Sequence, residues 1–430
     1  MHSIIIHNAG FDEKSEVSGY RPHVNDRAPT EATRVLRRLG MPVYVPIVAG
    51  NLGLTMLVPV LPLYLTDSGM SLRLASIVLA ALGLGASLGG LPTGALMSRF
   101  GERVVLIVAI AVFALSTAAL GFTTMALVLA ALRLASGAAN GALRLSRQTY
   151  ITRRVAAGVR GRAMSLIGGS FRISLFVGPA IGGALVDLVG YTATFAIAGA
   201  LTATGMLPPL LVRDHLPLLD GVDTTKRIGI LRAVVTHRRL LAVAGFVPML
   251  VVTVREGRLV IIPLIGATLG LSSTAVGALV TVGTAADLLL FPVAGWIMDR
   301  YGRLAAMVPA FGLIALGLVV LGLANGTPLA VAAGAIIGIG NGMSSGTMLT
   351  IGSDLAPPDA PGQFLAGMAT LQDSGRVIGP LLVGAVGAAL GLGAAAFALA
   401  AVLFVAIAWL ILVVGETGQS SLAINAKRSL

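Results

Sequence analysis

The chain has 430 residues, 56% of them hydrophobic and only 11% charged, with a mean hydropathy of +0.93. Soluble domains carry about 25% charged residues, so a water-exposed globule is excluded, and so is a porin-like barrel, whose strands would alternate polar and apolar positions. The net charge of +12 falls between apolar runs rather than in an aromatic-interleaved patch, which speaks against a nucleic-acid partner, and the absence of cysteine removes disulfides, thiolate metal sites and cysteine nucleophiles.

Residues 1–40 carry charges of both signs and no apolar core long enough for a signal sequence. They read as a cytoplasmic tail, mostly disordered, with Arg34, Arg37 and Arg38 on a short interfacial helix. Apolar runs then follow at 42–65, 73–97, 104–122, 125–146, 163–187 and 191–212, and again at 239–266, 272–298, 304–323, 327–350, 364–390 and 393–415. Twelve helical spans are therefore expected. The domains implied are a six-helix bundle at 41–212, a central loop at 213–238, a second six-helix bundle at 239–416 and a tail at 417–430.

Loop arginines set the expected orientation. Arg99, Arg103, Arg147, Arg153, Arg154, Arg160, Arg162, Arg300 and Arg303 fall on the side of the central loop and both termini, against Arg73 on the other. By the positive-inside rule that side is cytoplasmic. An integral protein of the cell membrane, with both ends cytoplasmic, follows.

The sequence also matches itself at a constant offset of 201 residues. Pro62 meets Pro263, Gly94 meets Gly295, Arg99 meets Arg300 and Gly101 meets Gly302. Further on, Gly137, Asn140 and Gly141 meet Gly338, Asn341 and Gly342, while Gly178, Pro179 and Gly183 meet Gly379, Pro380 and Gly384. Six spans per copy is an even number, so the copies are parallel about an axis along the membrane normal, with a substrate path expected between them.

Two loops stand out in this register: Gly94-Ala-Leu-Met-Ser98-Arg99-Phe-Gly101-Glu102-Arg103, and Gly295-Trp-Ile-Met-Asp299-Arg300-Tyr-Gly302-Arg303. With the twelve-span architecture they resemble the major facilitator superfamily and its loop signature G-x-L-x-D-R-x-G-R-R. In that family the acidic residue ties the loop to the facing half and stabilises the outward-open state. The resemblance implies this latch role for Asp299, Arg300 and Arg303, against the start of the fifth span near Gly161 and Arg162. The first copy departs from the pattern, with Ser98 in the acidic position and Glu102 in a basic one.

Two more motifs carry the resemblance. Arg133, Gly137 and Gly141 lie four residues apart in the fourth span, sharing one helical face, and are similar to the family's R-x-x-x-G signature, whose arginine is linked to proton coupling. Gly178, Pro179, Gly182 and Gly183 look like its G-P-x-x-G-G signature, associated with drug-exporting antiporters. Proline removes a backbone donor and the glycines allow close approach, so a bend in a moving helix is expected there.

Charges inside the spans are costly and are therefore the candidates for mechanism. They are Arg133, Arg172, Arg255, Glu256, Arg258, Asp287, Asp373 and Arg376. Asp373 with Arg376, and Glu256 with a neighbouring arginine, are spaced to neutralise each other. Asp287 lacks a local partner and is the candidate for proton binding. At offset 201, Arg172 corresponds to Asp373, which suggests that opposite charges meet across the axis. Asn51, Asn140, Asn341 and Gln372 either bind substrate or join helices.

All five histidines lie outside the spans, and no G-x-x-x-x-G-K-[ST] loop is present. No metal site, cofactor or catalytic constellation is expected, and the chain does not read as an enzyme. The favoured reading is a secondary transporter that exports a drug or metabolite by proton antiport, working as a monomer on a small-molecule substrate in the lipid bilayer. The alternative is transport of an organic anion or siderophore-like compound, with Arg172, Arg258 and Arg376 binding it; a non-transporting membrane sensor ranks last.

Overall fold

In the computed structural model the described residues are 28–154, 157–211, 236, 238–357 and 361–417, with side chains described except at 28–44, 91, 150–154, 157–167, 211 and 349. Every regular element among them is helical. The central loop at 213–238 lies almost entirely outside these residues, as do most of both expected tails and the side chain of Arg162.

The first helix, Ala28–Asp67, carries the first span from Val45 onward and extends well before the expected start at 42, so Arg34, Arg37 and Arg38 are helical. The second, third and fourth spans lie on Leu72–Phe100, Glu102–Ala119 and Ala126–Arg154. Ala157–Thr204 carries the fifth and the sixth span as two helices that meet at a kink at Gly190 (φ 79°, ψ 173°). Its apolar stretch with the short Leu207–Leu211 helix reaches 43 residues, about 65 Å of helix against a hydrocarbon core of roughly 30 Å. The seventh, eighth and ninth spans are Arg238–Thr268, Ser273–Tyr301 and Arg303–Gly322.

The tenth span departs from the expected continuous helix over 327–350. Helix Thr327–Met343 ends, Gly346 turns left-handed (φ 81°), and a second helix runs Thr347–Leu355. The Ser344-Ser345-Gly346 sequence accounts for the break, because serine hydroxyls compete for backbone partners and glycine accepts positive φ. Pro361–Leu390 and Leu392–Trp409 complete the set, the latter prolonged by a wider turn at Leu410–Val414. Ten helices are long and apolar enough to cross a membrane; one of them holds two spans and the shorter Thr327–Met343 adds another, which makes twelve.

The repeat is written into the backbone. Positive-φ glycines recur at offset 201 in three pairs: Gly69 with Gly270, Gly101 with Gly302, and Gly190 with Gly391. The capping serines follow the same register, Ser71 accepting from the Leu74 amide and Ser272 from the Ala275 amide. Each half has its own core: Met56, Leu61, Leu65, Leu129 and Phe195 in the first, Ile261, Met307, Phe311, Leu318 and Leu399 in the second. Apolar side chains such as Leu412, 82% exposed, and Leu188, 78% exposed, line the outside, as a lipid-facing surface requires.

Gly190 and Gly391 (φ 90°, ψ 163°) occupy a region of backbone space essentially closed to other residues. Gly190→Ala and Gly391→Ala should each cost about 1–3 kcal/mol. A lowered thermal midpoint with unchanged membrane insertion, read by fluorescence-detected gel filtration, is the expected result.

The halves meet through the fifth span against the eighth and the second against the eleventh, pairs that the 201-residue offset interchanges.

Candidate functional site

Asp287 sits on the eighth span, opposite Gly342 of the tenth. A Cβ on Gly342 would stand 2.7 Å from the Asp287 carbonyl oxygen, so the glycine lets the two spans close. Asn341 beside it can then donate its amide to Asp287 Oδ2 at 2.7 Å. The other carboxylate oxygen faces Arg172 of the fifth span, whose Nη1 lies 3.2 Å from Oδ1. The same guanidinium donates through Nη2 to Ser345 Oγ at 3.1 Å and stacks 4.1 Å from the centre of the Phe291 ring. Phe291 is four residues beyond Asp287 and so shares its helical face.

The expectation that Asp287 is unpartnered therefore fails. Its partners come from other helices, one of them in the opposite half, where local spacing cannot find them. The suggested meeting of Arg172 with Asp373 is corrected as well: Arg172 pairs with Asp287, while Asp373 Oδ2 accepts from Arg144 Nη2 at 3.1 Å. Opposite charges do cross between the halves, with partners exchanged. At offset 201, Arg144 corresponds to Ser345 and Asp373 to Arg172, so the Arg144–Asp373 and Ser345–Arg172 contacts are one interaction repeated with different chemistry.

Arg144 is absent from the charges counted inside the spans, although it falls within the apolar run at 125–146. Arg376 Nε also lies 2.9 Å from Asp373 Oδ1, as the spacing suggests. Its N–H finds no hydrogen-bond direction, so this is a charge contact only.

The other central charges differ. Arg133 and Arg258 are each 7% exposed, and the Nε groups of Arg133, Arg255 and Arg258 are buried without a hydrogen-bond partner. Arg255 Nη2 donates to Ser344 Oγ at 2.8 Å. Glu256 lies within electrostatic reach of all three arginines, yet no ion pair of the expected kind joins it to a neighbouring described residue. Asn51 donates weakly to Ser170 Oγ at 3.5 Å, within the first half, which makes it helix-joining here. Asn140 and Gln372 are half-buried.

On the side of the arginine-rich loops, Asp299 is exposed with no hydrogen bond or ion pair to a described residue. Gly94 and Gly295 face open space. Arg99 lies over the Phe100 ring, and Arg300 over Trp296 and Tyr301. Arg303 is held inside its own half: Nε donates to Asp354 Oδ2 at 2.9 Å, and Glu416 accepts from the Arg303 and Leu304 amides at 2.8 and 2.9 Å. Glu416 thus caps the ninth span across its Gly302 turn. In the first half Arg103 donates instead to the Pro209 and Leu210 carbonyls.

The opposite side is closed. Gly178 and Gly182 rest on Thr55 and Met56 of the first span, while a Cβ at Gly183 would collide with the Ser273 carbonyl and one at Gly277 with that of Pro179. The motif thus serves two faces, one inside its half and one against the eighth span. Asp187 seals this contact by accepting from the Thr274 amide at 2.8 Å and its hydroxyl at 2.7 Å, a cap delivered to one half by the other. Among the described residues, no group of three or more His, Asp or Glu side chains could hold a metal ion.

A family model described as Major Facilitator Superfamily matches residues 47–255 and 241–428. Two relatives in Mycobacterium tuberculosis are both described as uncharacterized MFS-type transporters. Rv1250 is 30% identical over 131 residues, covering 29% of this chain and 23% of the relative; Rv1877 is 27% identical over 173 residues, covering 39% and 25%. The matched stretches thus span about a quarter of those relatives. Among solved structures, the nucleoside transporter NupG shares 14% identity at a TM-score of 0.68, covering 86% of this chain and 98% of that one. The D-xylose-proton symporter shares 17% at 0.70, covering 88% and 98%. A bacterial homologue of the human lysosomal transporter Spinster, inward-facing and occupied, shares 14% at 0.71, covering 87% and 96%. At such identities the likeness is one of fold.

Proposed function

Because the chain belongs to the Major Facilitator Superfamily, we propose that it is a secondary active transporter that exports a drug or metabolite in exchange for protons. Its two six-helix bundles, 41–212 and 239–416, rock about the central charges, with the arginine-rich loops and both termini on the cytoplasmic side of the cell membrane and a single copy as the working unit. The observation that carries this reading is the Arg172–Asp287 contact, which ties the halves through one ionisable carboxylate.

A proton on Asp287 removes the charge that holds Arg172 and so loosens the tie between the halves. Arg255 and Arg258 lie in electrostatic reach of the same carboxylate. Proton binding and rocking are thereby linked by one bond. The closed face at Gly183 fits a molecule open towards the cytoplasm.

Asp287→Asn, permanently neutral, should lose accumulation driven by a pH gradient in proteoliposomes while substrate exchange without a gradient continues. Unchanged gradient dependence would remove Asp287 from the coupling role. A second reading, transport of an organic anion, is favoured by the surplus of central guanidinium groups over carboxylates.

A further inference from the structure

We propose that the fourth and seventh spans together form a binding site for a doubly negative headgroup, a phosphate monoester or a dicarboxylate. Arg133, Arg255 and Arg258 are its donors and Glu256 is the resident counter-charge that the ligand displaces. The proposal rests on the transporter reading and specifies its cargo.

The argument begins with unmet donors. A guanidinium carries five N–H groups in a planar fork matched to carboxylate and phosphate oxygens, and a buried donor without an acceptor is costly. Three such forks meet this condition at Nε here, and Arg133 and Arg258 are each 7% exposed. Arg255 and Arg258 are three residues apart and share one helical face, and Ser344 Oγ fixes the former by accepting from Nη2 at 2.8 Å.

The other acids are already taken. Asp287 has one oxygen on Arg172 and the other on Asn341, and Asp373 is held by Arg144 and Arg376. Among the described carboxylates at the centre of the spans, Glu256 alone has no hydrogen bond or ion pair. It interacts electrostatically with Arg133 on the fourth span and with Arg255 and Arg258 on its own, without an ion pair to any of them. A gap therefore separates donors from acid. Counting Arg172 and Asp287, whose charges also reach Arg255, four guanidinium charges against two carboxylates leave a surplus of two in a low-dielectric interior, which a dianion neutralises. The ligand would then bridge the halves, as the Arg172–Asp287 pair does. Arg172 and Arg376, already occupied by carboxylates, are not its binders.

The test uses the full-length protein in lipid nanodiscs at pH 7.5, with phenyl phosphate, succinate and tetraphenylphosphonium as probes in calorimetric titrations. Saturable binding of either dianion is expected, and which of the two binds selects phosphate or carboxylate. Glu256→Gln should tighten that binding tenfold or more, because it removes the competing charge without changing shape. Arg258→Gln should weaken it by at least tenfold, about 1.4 kcal/mol. Arg258→Lys, which keeps the charge but loses the fork, replaces it if the neutral variant does not fold and should show a loss of the same sign. Binding of the cation alone, or dianion binding indifferent to both Glu256→Gln and the Arg258 variant, overturns the site. Dianion binding with no gradient-dependent flux in proteoliposomes keeps the site and overturns the transporter reading. Gradient-driven flux of the cation without dianion binding does the reverse.

Discussion

Gly183→Val is expected to abolish transport while leaving a folded, correctly inserted protein. The Cβ that valine adds would run into the Ser273 carbonyl oxygen and stand 3.2 Å from the Gly277 Cα. Both neighbours are backbone atoms within or at the start of a helix, so neither can swing aside. The collision exists only while the fifth and eighth spans are in contact. The cores of the two halves, around Phe195 on one side and Phe311 on the other, are untouched. Overpacking costs about 1–3 kcal/mol, and when it falls on one conformation only it shifts the balance between conformations by roughly 5- to 150-fold. The chain has no cysteine, so an Asp187→Cys, Thr274→Cys pair can report this contact without background. Cross-linking should be efficient in the parent and largely lost with Gly183→Val; equal yields together with normal flux would refute the closed-face argument.

Removing one partner of the Arg172–Asp287 pair should be more damaging than removing both. Breaking a buried pair costs about 3–5 kcal/mol because a lone charge is left behind. The two sides are unequal here: the Asp287 side chain is 8% exposed and that of Arg172 28%, and partial access to water discounts the cost of stranding the arginine. Arg172 also keeps Ser345 and the Phe291 ring when Asp287 is gone. Asp287 without Arg172 keeps the Asn341 amide and the nearby charges of Arg255 and Arg258, so each single variant should lose an amount at the lower end of that range, with the double variant recovering part of the loss. A double-mutant cycle on denaturation midpoints in detergent measures this. Strictly additive losses would mean that the pair contributes nothing as a pair.

The spans and the repeat were legible because lipid imposes a hydropathy rule on every residue it touches, and because parallel copies preserve register at one offset. Turn positions followed from this: the Gly101 and Gly302 turns lie where the loop motifs suggest. What escaped was of two kinds. The break at Gly190 falls between the runs at 163–187 and 191–212, as read from the sequence, whereas the tenth span breaks at Ser344 to Gly346, since hydropathy averages over a turn and is blind to a single dihedral angle. Partners of charged groups escaped for another reason. Asp287 meets Arg172 across 115 positions and Arg144 meets Asp373 across 229, and no helical period reports contacts between helices. Asp373 with Arg376 was readable because both sit on one helix, three residues apart.

The exchanged ion pairs have a consequence for which surfaces can pair. Every central charge of the first half is positive, at Arg133, Arg144 and Arg172, while Glu256, Asp287 and Asp373 all belong to the second. Backbone positions repeat at offset 201, so two copies of the first half could dock in the same geometry, with Gly183 of one copy against Ser76 of the other as Gly384 is here. They would then set Arg144 of one copy against Arg172 of the other, two cations in a site that should hold opposite charges. Like charges at close range oppose association. The fold thus keeps the shape of a symmetric dimer while its charges permit only the heterologous pairing, and each half carries in its arginines or carboxylates the instruction to accept the other half and refuse itself.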